Sequence, residues 1–373
     1  MEAKVTNNAA PPTTAVPREQ GDNTPSSLPT KGTARVAGFA GLIILLVAAL
    51  FIAILICTSF GAVQIPVSAM VNALLHRQAL SETQHTILFA IRLPRVLASA
   101  IVGAALAVSG LMFQGLFRNP MADPFIVGSS GGAVVGGCVG ILFLSQYSIF
   151  GFSATALLAF MGSVLTMVLV YSLARTRGRT NIVTLLLAGF SLSIMLSNSI
   201  YIFELFATSS STGTRILSAW LHGVVGIPRW PQLFAIFFLF LLAMLAAYPL
   251  MRRLNTLTLG DDYAHHLGIR VEHTRIAIIA VGSLLTAASV ALGGLIGFAG
   301  LIVPHVARLL LGPDHVRLLP VTALGGAIFL VVTDTLARTL FAPNELPVGV
   351  LMVFVGGPFF LYLLRKSKRE YAL

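Results

Sequence analysis

The residues best able to do chemistry are a few polar side chains set inside otherwise apolar runs. Asp334 and Arg338 are four residues apart, an acid-first spacing that pairs charges on one helix face. Such an acid could relay protons, but a pair also neutralises two charges away from water. His222 and His305 lie in different runs, and neither H-E-x-x-H nor G-x-S-x-G occurs. We therefore predict no catalytic residue, no enzyme activity and no metal site in this chain.

Nucleotide binding is the second chemistry to consider, because a pump needs a source of energy. A P-loop requires Gly-Lys-Ser/Thr after a strand, so that backbone amides and an ammonium group hold the phosphates. The lysines of this chain have no such setting; they are Lys4, Lys31, Lys366 and Lys368. We predict that this chain binds no cofactor of its own.

A polar interruption between two long apolar runs, Arg252 to Arg275, is the most informative segment. Leu259, Tyr263 and Leu267 recur every four residues, which places them on one stripe of a short helix. Asp261 and Asp262 suit its first turn, and Gly268 suits its left-handed C-terminal position. Because so short a helix is unstable alone, it is expected to dock onto a partner, or else to lie as an amphipathic loop on its own membrane domain.

The composition defines the solvent that surrounds these residues. Hydrophobic residues make up 56% of the 373 residues and charged residues 10%, against about 25% charged in soluble domains. The chain is therefore predicted to be an all-α, polytopic membrane protein. Its net charge of +11 comes from basic residues in the breaks between apolar runs, which favours membrane orientation over nucleic-acid binding. Cys57 and Cys138 lie within apolar runs and are interpreted as packing residues.

Ten apolar runs approach the roughly 20 residues that a membrane-spanning helix needs. We predict ten transmembrane helices at residues 36–58, 96–117, 125–145, 149–173, 182–206, 231–250, 275–295, 297–314, 319–340 and 347–364. The first is too long for a signal peptide. The eighth is interrupted by Pro304, His305 and Arg308 and could be re-entrant, but a missing crossing would place the basic C-terminus outside.

Charge and composition then set the domains and the topology. Residues 1–34 are rich in Pro, Thr, Ser and Asn and are predicted to form a disordered cytoplasmic tail. Residues 35–373 form the transmembrane domain, with residues 251–275 as a cytoplasmic segment. The positive-inside rule predicts that both termini are cytoplasmic in this multi-pass protein.

Two further patterns bear on architecture. Gly128, Gly132, Gly136 and Gly140 form a ridge in the third span, which favours close helix packing over a wall of a transport path. The strings SLARTRG from Ser172 and TLARTLF from Thr335 are consistent with two inverted five-helix repeats.

Three arginines lie at helix ends on the predicted outer side, against the positive-inside rule. Arg92, Arg95 and Arg338 could be interfacial anchors that snorkel, or they could form a basic outer rim that receives an acidic partner or substrate.

With these segments laid out, the chain resembles the FecCD-type permeases, the membrane subunits of ABC importers for iron siderophores, haem and cobalamin. The similarity covers nearly everything from about residue 40 to the end. It rests on RLPRVLASAIVGAALAVSGLMFQGLFRNPMADPFIVGSSGG from Arg92, LLLAGFSLS from Leu185, LTLGDDYAHHLGI from Leu257, GLIGFAGLIVPHVARLLLGPDHVRLLP from Gly294 and DTLARTLFAPNELPVGVLMVFVGGPFFLYLLR from Asp334.

The resemblance implies a BtuC-like permease fold in the bacterial inner (cytoplasmic) membrane. It also implies a homodimer, two cytoplasmic ABC ATPase subunits that hold ATP and Mg, and a periplasmic or lipid-anchored substrate-binding protein. The ATPase-coupling residues would be Leu257, Leu259, Gly260, Asp261, Asp262, Tyr263, Ala264, Leu267 and Gly268. The binding-protein docking residues would be Arg92, Arg95 and Arg338, and the inner gate would be Asn181, Ile182, Val183 and Thr184. Two of these gate positions are apolar, where the family can carry small hydroxyl residues.

The function expected from this resemblance is import of a ferric siderophore or similar iron chelate, with ATP hydrolysed by the separate subunit. Haem or cobalamin import by the same mechanism is the alternative. A different class, an ion-coupled secondary transporter, would need intramembrane acids, for which Asp334 is the candidate. An integral membrane enzyme is a more distant third class.

Overall fold

The computed structural model describes residues 31–61, 63, 65–66, 68, 72, 81–149, 152–176, 179–207, 211–342 and 344–370. The chain divides into two units, Met1–Leu42 and Ile43–Leu373. The described part of the first unit is the beginning of the first helix. The predicted tail of residues 1–34 lies outside the described residues, except that this helix includes its last four.

The described residues form fourteen α-helices and two short hairpins. The helices are α1 Lys31–Ser59, α2 Glu82–Thr86, α3 Leu93–Leu116, α4 Ser129–Phe143, α5 Ala154–Ala174, α6 Ile182–Asn198, α7 Ile200–Ala207, α8 Ser211–Leu221, α9 Trp230–Leu257, α10 Asp261–His266, α11 Val271–Gly293, α12 Ala299–Leu311, α13 His315–Thr339 and α14 Val348–Glu370. A π-helical segment, Ile87–Arg92, joins α2 to α3, and a 3-10 turn, Pro124–Val127, precedes α4. The hairpins pair β1 Ser148–Ile149 with β2 Phe152–Ser153, and β3 Arg175–Thr176 with β4 Arg179–Thr180, both antiparallel.

Among the described residues, seven helices are long and apolar enough to cross a membrane. They are Gly38–Ser59, Glu82–Leu116, Ala154–Ala174, Ile182–Phe203, Trp230–Leu257, Val271–Gly293 and His315–Thr339. Three shorter apolar helices, Ser129–Phe143, Ala299–Leu311 and Val348–Leu363, lie where the other three spans were predicted. The mostly helical membrane architecture is therefore confirmed, while the count of ten crossings and the inverted repeats stay predictions.

Helix α3 is the centre of the fold, since almost every one of its residues is buried. It packs against α9, α11, α12 and α13. Small residues make this close approach possible: a Cβ at Gly103 would overlap the carbonyl oxygen of Gly326 in α13, and one at Gly110 would overlap that of Gly300 in α12. Ser109 adds a buried polar link to α11 by donating to the carbonyl of Gly282 over 2.8 Å.

The glycine ridge predicted for the third span packs as expected. A Cβ at Gly132 would overlap the carbonyl oxygen of Gly162, and one at Gly136 would overlap that of Leu158, both in α5. Gly128 differs from the other three because it precedes α4 with φ of +95°, a left-handed conformation that suits glycine. Close packing of α4 on α5 is therefore the role of this ridge.

The polar interruption begins later than the sequence indicates, because α9 continues past the predicted end at residue 250 to Leu257. Pro249 lies inside the helix without ending it, and Leu254 and Leu257 are buried. The free part of the interruption is therefore Thr258 to Arg270, with α10 in its middle.

Candidate functional site

The short helix α10 presents three apolar side chains to the outside. Leu259, Tyr263 and Leu267 are 68%, 67% and 66% exposed. Ala264, on the opposite side, is fully buried. The stripe predicted from their spacing is thus present, and we call these three residues the apolar knob. Large apolar side chains exposed together on a polar segment are typical of a protein contact.

Asp261 fixes α10 to the helices beneath it. One carboxylate oxygen accepts from Nη2 of Arg118, just after α3, at 3.0 Å, and the other accepts from Nη2 of Arg275 in α11 at 2.6 Å. Arg118 also donates to the carbonyl of Leu257 at 2.5 Å. A single carboxylate therefore ties α10 to the ends of two buried helices.

Glycines flank α10 at both of its ends. Gly260 has φ of +132° and Gly268 has φ of +76°, conformations that side chains rarely adopt. At the C-terminal end, the N–H of Gly268 donates to the carbonyl of His265 at 2.9 Å and that of Ile269 to Ala264 at 3.0 Å. This is a Schellman motif, and it confirms the C-terminal position predicted for Gly268. Asp261 and Asp262 lie in the first turn, as predicted.

The predicted inner-gate residues form the start of α6. Asn181 is its N-cap, with Oδ1 accepting from the N–H groups of Val183 at 2.9 Å and Thr184 at 3.1 Å. Ile182 is half-buried and Val183 is exposed. The preceding residue, Thr180, donates its backbone N–H to Glu272 in α11 at 3.1 Å, and its hydroxyl donates to the same carboxylate. Thr180 thus holds this segment on α11, while Val183 is exposed. The role of the segment as a gate stays a prediction.

The three arginines interpreted as interfacial anchors or as a basic outer rim are buried within the chain. Arg95 Nη2 is 3.3 Å from Asp334 Oδ1, and its Nη1 is 2.8 Å from Glu345 Oε2. Arg338 Nε is 3.2 Å from the other oxygen of Asp334, so the pair predicted from the i,i+4 spacing is confirmed. The side chains of Arg95, Asp334 and Arg338 are all less than 10% exposed.

Arg92 serves the end of another helix. Its guanidinium donates to the carbonyl oxygens of Thr58 at 3.4 Å, Ser59 at 2.9 Å and Val63. Thr58 and Ser59 end α1, so this cation satisfies carbonyls that lack an intrahelical partner. Internal carboxylates and carbonyls thus hold the charges of Arg92, Arg95 and Arg338, and the docking role of these residues stays a prediction. Docking through them would require these internal contacts to open.

Four functional partners were missed by the sequence analysis: Arg118, Glu272, Arg275 and Glu345. Each pairs with a residue at least 14 positions away in the chain, beyond the reach of i,i+3 and i,i+4 spacing. Arg118 also has a positive φ of 51°, which is unusual for a side-chain-bearing residue. Within the described ranges, no group of three or more His, Cys, Asp or Glu side chains could hold a metal ion.

The chain is similar in sequence to known proteins. The sequence model that describes the FecCD transport family matches residues 45–366 of this chain. The hemin transport system permease protein of Yersinia pestis is 41% identical over 283 residues, covering 75% of this chain and 83% of that protein. The cobalamin import system permease protein of Halobacterium salinarum is 43% identical over 286 residues, covering 76% and 74%.

A solved structure extends the similarity to the fold. It is an inward-facing conformation of an ABC transporter described as of the metal-chelate type, with a TM-score of 0.75 and 31% identity. The match covers 88% of this chain and 99% of that one.

Proposed function

This chain belongs to the FecCD transport family, and we propose that it is the membrane permease of an ABC importer that carries a metal chelate inward. It performs no covalent chemistry; a separate subunit binds ATP with Mg and hydrolyses it. The observation that carries the proposal is the apolar knob, which is exposed and anchored at once. An exposed knob can bind a partner, and an anchored one can pass on the partner's movement.

The geometry suggests how ATP could drive the permease. When the ATPase subunits close on ATP, a knob bound in each of them moves with its subunit. Asp261 connects that movement to Arg118 after α3 and to Arg275 in α11, at 3.0 and 2.6 Å. Because close-packed helices shift as units, the result is a rocking of helices between outward- and inward-facing states.

The proposed substrate is a metal ion held in an organic ligand. Hemin and cobalamin, named for the two relatives, are of this type, and so is a ferric siderophore, the substrate expected from the sequence. Identifying the ligand that co-purifies with the cognate binding protein, by mass spectrometry, would choose among them.

The full assembly is part of the same proposal. It comprises ten crossings per chain, both termini in the cytoplasm, two copies of the chain, two ATPase subunits and a periplasmic or lipid-anchored binding protein at the bacterial inner membrane. Arg92, Arg95 and Arg338 would meet the binding protein only after rearrangement of their internal contacts.

An ion-coupled transporter is less consistent with the charges. Asp334, the acid on which that alternative depended, is 1% exposed and lies within 3.3 Å of Arg95 and 3.2 Å of Arg338. Two guanidinium groups already engage this carboxylate, so a structural ion pair accounts for an acid inside a span without a coupled ion. Uptake by the purified chain alone, without an ATPase, would favour this alternative instead.

Co-purification with the ATPase tests the proposal. Replacing Leu259, Tyr263 and Leu267 together by Ser removes the apolar knob without touching Asp261, and we expect the ATPase to be lost from the purified complex. The matched control replaces His265 and His266 by Ser, since both are exposed on the same helix but off the apolar stripe. An ATPase that stays bound to the triple variant would refute the coupling role.

A further inference from the structure

A cavity of about 360 Å³ lies next to Thr258, just before α10, at the same end of the helix bundle. Its polar lining comes from Gln114, Arg118, Asn119, Thr258, His305, Arg308 and His315. None of the described residues that line it carries a carboxylate. We call it the basic cavity. Its volume falls within the roughly 300–1,000 Å³ of small-molecule sites, although the function proposed above does not use it.

The cations of the basic cavity are incompletely neutralised. Arg308 has no carboxylate within 4 Å among the residues that the structure describes. Arg118 has Asp261, but that carboxylate is shared with Arg275. An anion in this cavity would therefore meet one unpaired guanidinium and one that is only partly paired, both of which bind phosphate well.

Two residues that line the cavity each carry a buried acceptor without a partner among the described residues. Asn255 donates its Nδ2 to Asp314 at 2.7 Å, so its Oδ1 faces His315, 2.9 Å from the backbone N and 2.7 Å from Nδ1. Nδ1 must therefore carry the hydrogen, which leaves Nε2 of the neutral ring as an acceptor. His315 is 4% exposed, and Nε2 has no hydrogen-bond partner among the described residues.

Gln114 supplies the second acceptor by the same logic. Its Nε2 donates to the carbonyls of Gly300 and Leu301, both at 3.3 Å, so Oε1 is the atom left over. The residue is 2% exposed, and Oε1 also lacks a partner within the described part of the chain. Buried polar atoms normally have partners. A bound ligand that brings hydroxyl donors as well as negative charge would satisfy both atoms.

The rim of the basic cavity is apolar on one side. Leu309 lines it and is 63% exposed, and the next residue, Leu310, is 76% exposed. Both belong to α12, one of the apolar helices. Apolar side chains beside a basic pocket at a helix end are what a lipid with an anionic headgroup requires.

From these contacts we propose that the basic cavity binds a phosphate ester that carries hydroxyl groups. The phosphate faces Arg118 and Arg308, and the hydroxyls donate to His315 Nε2 and Gln114 Oε1. This chemistry occurs in the headgroup of phosphatidylglycerol and in soluble glycerol phosphate. Because Arg118 also holds Asp261, a phosphate in the cavity would compete for the contact that anchors α10, and would link the occupancy of the cavity to coupling.

Native mass spectrometry of the full-length chain in a neutral detergent tests this site. The probes are phosphatidylglycerol, phosphatidylcholine, glycerol phosphate, and phosphatidylethanol, whose headgroup is anionic but has no hydroxyl. We expect phosphatidylglycerol to bind more tightly than phosphatidylethanol and phosphatidylcholine. Glycerol phosphate binding as tightly as phosphatidylglycerol assigns the site to the soluble ester, and weaker binding assigns it to the lipid. Equal binding of phosphatidylglycerol and phosphatidylethanol would overturn the role of the acceptors and with it the proposal.

Matched variants separate the cavity from general surface charge. Arg308→Gln should weaken phosphatidylglycerol binding about fivefold, the effect of about one arginine–phosphate contact near a membrane surface. Arg253→Gln removes the same charge from an exposed residue of α9 that does not line the cavity, and should leave binding unchanged. Equal weakening by both variants would show non-specific attraction and refute the site.

A third variant keeps the test decisive if Arg308→Gln fails to fold. Arg308→Lys retains the charge, and it should keep the preference for phosphatidylglycerol over phosphatidylcholine. Loss of that preference in a folded Arg308→Lys protein would refute the site. These assays use the chain without companion subunits, so their failure leaves the proposed ATPase coupling untouched.

Discussion

Replacing Asp334 by Asn should destabilise the protein more than any other single change in its charged cluster. Asp334 is 1% exposed and lies within 3.3 Å of Arg95 and 3.2 Å of Arg338. Removing one member of a buried ion pair costs about 3–5 kcal/mol, because the remaining charge stays buried without compensation. Among the described residues, Arg338 would keep the hydroxyl of Thr335, 3.2 Å from its Nη2, but no carboxylate partner.

The matched comparison is Glu345→Gln, which removes the other carboxylate of the cluster. Glu345 approaches Arg95 more closely, at 2.8 Å, but its side chain is 52% exposed. Exposed ion pairs contribute only about 0.2–1 kcal/mol. Burial and not distance should therefore decide which variant loses more stability. Asp334→Asn should be far more destabilising than Glu345→Gln.

Thermal unfolding in detergent measures both changes. At roughly 2–4 °C per kcal/mol, Asp334→Asn should lower Tm by about 10 °C, and Glu345→Gln by only a few degrees. The double variant Asp334→Asn, Arg338→Gln should recover part of the loss, because it removes the stranded charge while Arg95 keeps Glu345. Equal Tm values for the two single variants, or no recovery in the double variant, would refute this account of the cluster.

Two further predictions concern helix ends and helix packing. Asn181→Ala should destabilise the start of α6 by about 0.5–2 kcal/mol and speed hydrogen exchange at Val183 and Thr184. The control, Asn181→Asp, should keep the cap. Unchanged hydrogen exchange in the Ala variant would refute the capping role. Gly110→Ala should cost about 1–3 kcal/mol, because its Cβ would overlap the carbonyl of Gly300. The control is Gly357→Ala in α14, where a Cβ would meet no atom of the described residues within 4 Å. Similar Tm values for both variants would contradict the packing of α3 on α12.

Local patterns predicted the parts of this protein that depend on neighbours in the chain. The spacing of Leu259, Tyr263 and Leu267 predicted their common exposed face, and the four-residue step from Asp334 to Arg338 predicted their ion pair. Helical periodicity and apolar length carry this information directly. For the same reason, the places of the apolar helices followed from the sequence.

Contacts between distant segments could not be predicted in this way. Position at a helix end suggested an interfacial anchor or an outer rim for Arg95, yet Glu345, 250 residues away, folds back onto it. The anchors of α10 likewise lie 143 and 14 residues from Asp261, at Arg118 and Arg275. A basic residue at a helix end has the same local signature whether it meets solvent or a remote carboxylate, so the three-dimensional fold must decide.

The two ends of α3 explain how a helix of six residues could move a membrane domain. At one end Arg95 is tied to α13 through Asp334, and at the other the chain continues into Arg118, which holds α10 through Asp261. Between them α3 spans 24 residues, almost all buried, with a length of about 36 Å. Since backbones touch directly at Gly103 and Gly110, the helix has little room to bend independently of α12 and α13. A displacement of α10 should therefore shift α3 as a rigid unit. The apolar knob would then move the Arg95 end of α3 although α10 has no hydrophobic core of its own.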